Sequence, residues 1–261
     1  MKVAIKYTIY NFFIFLANLC GYPFSRLCRH RLSHAYEALV YPFFGERSVA
    51  LSQLLKDEDI ELHLGPVKAR QHNITEFELL TICSLLKDNR CNNVFEIGTF
   101  DGRTTRAMAM NLLSIEGQVY TLNLPDQTEQ VQLTTDATDV RLASKVLSGE
   151  RFLHTQEKNV IHQLWGDSAS YDFSPYYGKM DMVFIDGAHS REYAANDTEA
   201  ALKMIMHAGG IIVWHDAHLY GVVTFLKQWI KENNYPVYFI KGTSVAVLAV
   251  KNGVPRDLCK N

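Results

Sequence analysis

This chain of 261 residues lacks several things, and each absence removes a class of function. It has no excess of charge: 26 Lys and Arg stand against 28 Asp and Glu, a formal charge of −2. No stripe of basic residues interleaved with aromatics runs through the core region either, so nucleic acid is not an expected partner. It has no paired cysteine spacing. Cys20, Cys28, Cys83, Cys91 and Cys259 are odd in number and scattered without C-x-x-C, which reads as free thiols in a reducing, cytoplasmic setting and argues against a zinc site. It has no uninterrupted apolar run of about 20 residues, the length that spans a bilayer. Internal repeats and low-complexity tracts are absent as well.

There is enough apolar material for a full core, since 48% of the residues are hydrophobic, and the length favours one domain with an appendage. Residues 9–22, IYNFFIFLANLCGY, stand apart as apolar and aromatic, with Lys2 and Lys6 before them and Arg26, Arg29 and Arg31 after. The run is short, it contains Asn11 and Asn18, and no small-x-small cleavage site follows, so neither a spanning helix nor a signal peptide is expected. Two readings stay open. One is an interfacial helix in peripheral contact with a membrane, its basic neighbours on anionic lipid; the other is a helix packed on the protein or on a second copy in a homo-oligomer. The expected layout is an apolar, basic helical extension over residues 1–45, a linker and small cap with a helical, charged stretch over 46–73, and the main domain over 74–261.

From Thr75 onward, strands and helices alternate. Thr75 and Glu78 have capping-box spacing and predict a helix running to about Lys87. A strand at 94–97 follows, then helix 104–114, strand 118–122, helix 136–147, strands 160–164 and 182–185, helix 191–207, strand 211–214 and helix 222–232. Two closing strands, 237–240 and 244–250, flank the turn Lys241-Gly242-Thr243. The pattern predicts an α/β fold: a doubly wound, mostly parallel, seven-stranded sheet with a terminal antiparallel hairpin.

The most informative stretch is residues 94–105, VFEIGTFDGRTT, an apolar strand that runs into a glycine-bearing turn and then a helix. The first amides of such a helix can face an anion. Its spacing, E-x-G-x-x-x-G, departs from the G-x-G-x-x-G of dinucleotide sites, and no Lys follows the second glycine as a phosphate loop requires. Three further blocks follow in order: VYTLNLPD at 119–126, LWGDS at 164–168, and MDMVFIDGAHSREY at 180–193 continuing to GGIIVWHDA at 209–217. With these four blocks the chain resembles the Rossmann-like class I S-adenosylmethionine-dependent methyltransferases over roughly residues 75–250. In particular it resembles the branch of small-molecule O-methyltransferases that includes macrolide-sugar methyltransferases and cephalosporin hydroxylase-like proteins.

The resemblance implies a role for each strand end. Glu96 would lie near the methionine amino group of S-adenosylmethionine, with Gly98 and Gly102 making room and Thr104 offering a hydroxyl. Asn123 stands where relatives carry an acidic residue for the ribose hydroxyls, so it gives up charge-assisted pairing unless Asp126 substitutes. Asp167 and Ser168 would meet the adenine edge, or else cap a turn. Asp186 and Asp216 follow strands expected to be neighbours, about 4.8 Å apart, so both carboxylates can reach one divalent cation. Oxygen ligands favour Mg²⁺, and His215 in place of a third acidic ligand shifts the site toward Mn²⁺ or Fe²⁺ or drops that ligand. His189, in the D-G-x-H block, stands where the sugar-modifying relatives carry their base, and a histidine of pKa about 6.5 suits proton removal. The expected function is metal-assisted transfer of a methyl group to a hydroxyl of a small, sugar-like or polyol substrate. Two alternatives remain open: a cofactor-binding protein without catalysis on the same fold, and a metal-dependent hydroxylase-like enzyme.

Overall fold

The computed structural model describes residues 47–259 except 66, 127, 129, 146 and 253. Residues 9–22 and their basic neighbours, on which the membrane and oligomer readings rest, lie outside the described residues. Among the described residues no helix is long and apolar enough to cross a membrane. The chain divides into units ending at Ser48 and beginning at Val49, and the second unit carries the parallel sheet and its helices.

Helix α1 (Glu76–Asp88) begins as expected: Thr75 is its N-cap, accepting from Glu78 N, and the Glu78 carboxylate in turn accepts from Thr75 N. The elements after it are β1 (Asn93–Ile97), α2 (Arg103–Leu112), β2 (Gln118–Asn123), α3 (Ala137–Lys145), β3 (Ile161–Trp165), β4 (Met182–Ile185) and α4 (Arg191–Met204). The last are β5 (Gly210–Trp214), α5 (Tyr220–Asn233), β6 (Tyr238–Ile240), β7 (Ala246–Lys251) and β8 (Val254–Arg256). These boundaries fall within about three residues of the expected ones. The region before α1 differs. The described part of 47–73 contains no α-helix, only 3-10 geometry such as Leu51–Gln53, in place of a charged helical stretch. Over 60–64 the half-buried Ile60, Leu62 and Leu64 alternate with exposed Glu61 and His63, a period of two that makes no helical stripe.

The sheet runs in the order β3-β2-β1-β4-β5-β7-β6, with β8 paired to β7. All pairings from β3 to β5 are parallel, while β7 runs antiparallel to both β5 and β6. The reversed strand of the terminal hairpin is therefore inserted beside β5. Beyond β6, Lys241 N donates to Val49 O at 2.9 Å. β1, β4 and β5 are buried on both faces, which is why they read as continuous apolar runs. Cys83 and Cys91 are buried free thiols and Cys259 is an exposed one.

Chain order reverses between β1 and β4, so the crevice for a ligand opens between their carboxyl ends. The two ends approach closely. Gly98 has φ +105°, and a Cβ there would stand 2.1 Å from the Asp186 carbonyl oxygen. Gly98→Ala is therefore expected to lower unfolding free energy by at least about 2 kcal/mol in urea titrations; an unchanged midpoint would show that the two strand ends can separate freely.

Candidate active site

Parallel pairing sets Ile97 beside Leu122 and Ile185, Leu122 beside Leu164, and Ile185 beside Trp214. The residues that come next, Gly98, Asn123, Trp165, Asp186 and His215, therefore leave the sheet at one level. Over this row lies a cavity of about 230 Å³. Gly98, Phe100, Asn123, Gly166, Asp167 and Ser168 form one wall, and Leu122, Leu124, Val131, Val140 and Leu142 supply an apolar one. Asp139, Asp186, His189, His215 and Asp216 line the charged end, and His72 reaches the cavity from the segment before α1.

Not every expected cofactor residue is on this wall. Glu96 lies one residue below the strand end, opposite Thr121 in the register, and is fully buried under α2. Its Oε2 accepts from the hydroxyls of Thr105 and Thr121. Thr104 is buried in the first turn of α2, and Gly102 is that helix's N-cap, facing Phe152 and Gly149. These three support the turn from behind. Asn123 does reach the cavity, but its side chain is engaged with backbone: Oδ1 accepts from Phe100 N at 3.3 Å and Nδ2 donates to Leu124 O at 3.1 Å. Asp126 is exposed and does not line the cavity. Asp167 accepts from Gln132 N at 2.7 Å, Tyr193 Oη at 2.8 Å and Ala169 N at 2.9 Å, and so ties the 131–135 loop to the end of β3.

The charged end is a chain of carboxylates and imidazoles. Asp139 holds His189 twice, accepting from its backbone N at 2.9 Å and standing 3.1 Å from Nδ1. His189 Nε2 lies 3.1 Å from Asp216 Oδ2. His215 Nδ1 lies 2.9 Å from Asp186 Oδ1 and 3.4 Å from Asp216 Oδ2, while its Nε2 faces Glu78 Oε2 at 3.3 Å. His218 Nδ1 is 3.7 Å from Asp216 Oδ1. Burial disfavours charge on His189, but the carboxylates of Asp139 and Asp216 outweigh it and push the pKa up to about 10. The same balance raises His215, through Asp186 and Asp216, and burial is likewise overcome where the imidazoles hold Asp216 and Glu78 low. Asp216 adopts φ +48°, a conformation that Asp tolerates better than most residues. At Gly221, in the first turn of α5, a Cβ would stand 2.0 Å from His189 O, so this glycine lets α5 back the His189 loop.

Three of these residues carry no sequence signal that marks them as site residues. Glu78 is legible only as the partner of a cap, Asp139 only as a residue of an amphipathic helix, and His72 has no pattern. Each comes from an element whose position over the strand ends is a tertiary fact.

Residues 95–217 match the family model described as a methyltransferase domain, and this span contains nearly all of β1 through β5 and both aspartates at the strand ends. Over these residues the chain is similar to the methyltransferase-domain family. The strand order, with one reversed strand between β5 and β6, is that of the class I S-adenosylmethionine-dependent fold. Among solved structures, the O-methyltransferase TomG from Streptomyces achromogenes, involved in tomaymycin synthesis and solved with S-adenosylmethionine, is similar at 16% identity. It aligns with a TM-score of 0.50 over 69% of this chain and 81% of that one. An O-methyltransferase from Bacillus cereus, solved with S-adenosylhomocysteine, is 18% identical with a TM-score of 0.47 over 70% of this chain and 84% of that one. No curated protein sequence matches the chain.

The residues that line the cavity fit the cofactor of this fold and, at one end, offer a set of atoms that could hold a cation. For the cofactor, the wall from Gly98 to Ser168 offers close backbone approach, an amide at Asn123 and an apolar face, which suits a nucleoside better than a polyphosphate. For a cation, Asp186, His215 and Asp216 each place a ligand atom within 4.8 Å of the others. His215 Nδ1 is buried and makes no well-formed hydrogen bond, and its 2.9 and 3.4 Å separations from the carboxylates bracket the spacing of about 3.0 Å between adjacent ligands on an octahedral ion with bonds of about 2.1 Å.

Two buried carboxyls next to this site make stability depend on pH. Burial pushes Glu96 up to about 8 and Asp197, under Ser168, up to about 7. The folded state thus keeps protons that the unfolded chain releases above about pH 4.5, and stability falls as pH rises from about 5 to 8. Glu96→Gln should flatten much of that slope in denaturant midpoints measured across the range; a slope equal to that of the parent would contradict the assignment.

Proposed function

We propose that the methyltransferase domain transfers a methyl group to a hydroxyl of a small hydroxylated acceptor, sugar-like or polyol, assisted by a divalent cation. S-adenosylmethionine supplies the methyl group on a sulfonium, and a cation supplies Lewis-acid polarisation of acceptor oxygens. The observation that carries this reading is the convergence of Asp186, His215 and Asp216 at one end of the cavity, with His189 3.1 Å from Asp216 but outside the three-residue group.

The chain's own residues divide the work. The backbone at Gly98 and the side chains of Asn123, Asp167 and Ser168 face the cofactor along one wall. Asp186, His215 and Asp216 would hold the cation at the acceptor end. Asp139 fixes the His189 ring from behind through Nδ1, which leaves Nε2 toward the cavity to take the hydroxyl proton as the oxygen attacks. In that arrangement Asp216 is committed to the cation, so one of the two carboxylates that hold a proton on His189 is engaged elsewhere. The apolar wall excludes water and holds the reactants in line.

Support for the cap comes from Arg103, which donates to Val67 O and Ile74 O, and Arg151, which donates to Lys68 O and Asn73 Oδ1. Together they clasp the 67–74 segment, with His72, beside the cavity. The hydroxylase-like alternative draws no support, because the converging group among the described residues contains one histidine and two carboxylates, not two histidines.

Methyl transfer from labelled S-adenosylmethionine to a panel of sugars and polyols tests the proposal. Asp186→Ala should abolish both turnover and any response to metal, and a fully active variant would refute the cation site. His189→Ala should lower kcat by about 10²–10⁴-fold while cofactor affinity stays within about threefold. Equal losses in both would make His189 a binding residue instead.

A further inference from the structure

Glu78 accepts bonds from more directions than a helix cap requires. Its Oε2 takes Thr75 N at 2.8 Å and Thr75 Oγ1 at 2.9 Å, and its Oε1 takes Ser244 N at 2.7 Å and Ser244 Oγ at 2.6 Å. These four donors, from the start of α1 and the turn before β7, leave the carboxylate no freedom to rotate. Its Oε2 then stands 3.3 Å from His215 Nε2, with side-chain exposures of only 7% and 9%. Both ring nitrogens are buried and neither makes a well-formed hydrogen bond, but they face different groups: Nε2 faces the fixed Glu78 carboxylate alone, while Nδ1 lies 2.9 Å from Asp186 Oδ1 and 3.4 Å from Asp216 Oδ2. A carboxylate offers acceptors alone, so once a cation shared by Asp186 and Asp216 takes Nδ1, the ring's hydrogen is left on Nε2, where Glu78 accepts it.

We propose that Glu78 is a positioning residue for the cation site: it anchors His215 through Nε2–H so that Nδ1 joins Asp186 and Asp216 as a ligand. The inference rests on the cation reading above. A carboxylate behind a ligating imidazole fixes the ring's tautomer and orientation and strengthens its bond to a metal. With a nitrogen donor held in place, the site takes Mn²⁺ or Fe²⁺ in preference to Mg²⁺. The helix cap at Thr75 and the cation site thus share one side chain, and α1, which precedes the matched methyltransferase domain, becomes part of its chemistry.

The test is Mn²⁺ binding to the full chain, followed by the loss of the free-ion electron paramagnetic resonance signal, with Mg²⁺ competition giving the preference. Wild type should bind Mn²⁺ saturably and more tightly than Mg²⁺. Glu78→Gln should weaken Mn²⁺ by about 10-fold or more and narrow the preference over Mg²⁺. Thr75→Ala, which breaks the cap but leaves the Glu78–His215 contact, should lower stability while Mn²⁺ affinity stays within about twofold of wild type. Should Glu78→Gln fail to fold, Glu78→Asp, which retracts the carboxylate by one methylene, is expected to weaken Mn²⁺ in the same direction. Tight Mn²⁺ binding by wild type with equal affinity in the folded Glu78 variant would overturn the positioning role alone. No saturable binding by wild type would overturn the cation reading and this inference with it.

Discussion

Parallel strand pairing at the level of Ile97, Leu122, Leu164, Ile185 and Trp214 is the constraint on which the site depends. Because these five residues are held side by side by ladder hydrogen bonds, the next residue of each strand is delivered to the same height above the sheet. Gly98, Asn123, Asp186 and His215 need no long loops to find one another. The closeness of Gly98 to the Asp186 carbonyl tightens the arrangement at the point where chain order reverses, and that is where an open α/β sheet leaves its crevice.

The cost of this convergence is electrostatic. Asp139, Asp186, Asp216 and Glu78 all bring carboxylates to one end of a small cavity, and like charges at this spacing are unfavourable unless cations stand between them. His189 and His215 occupy those intervals, the first between Asp139 and Asp216 and the second among Asp186, Asp216 and Glu78. The pattern is one of positive groups alternating with negative ones, and it extends from α3 across the strand ends to α1. Glu96 obeys the opposite rule: it is isolated under two threonine hydroxyls and favours its neutral form.

Much of the fold is legible in the sequence because its signals are local. The capping box at Thr75 and Glu78, the apolar runs of β1, β4 and β5, and the glycine turn after Ile97 each report on residues within a few positions. Asp186 and Asp216 can be paired from sequence because strands on either side of a crossover are neighbours in such sheets. The rest depends on tertiary placement. Glu96 is expected at the cavity, yet it is the next-to-last residue of β1, which ends at Ile97, and so lies a level below. The reach of Glu78 to His215 and of Asp139 to His189 has no sequence signature, since each depends on where a helix sits over the strand ends. The segment before α1 carries charge, with alternation of period two at 60–64 in place of a helical stripe, and its described residues form little regular structure.

The central claim is that the cavity over the Gly98–Asp186 crevice is a site for S-adenosylmethionine even though Asn123 stands in place of a carboxylate and its side chain is turned to backbone. Isothermal titration calorimetry of the full chain with S-adenosylmethionine addresses this directly. The account predicts one site per chain with a dissociation constant in the micromolar range, about −7 to −8 kcal/mol. An absence of binding up to millimolar cofactor would contradict it and identify the chain as a methyltransferase fold that has lost its cofactor.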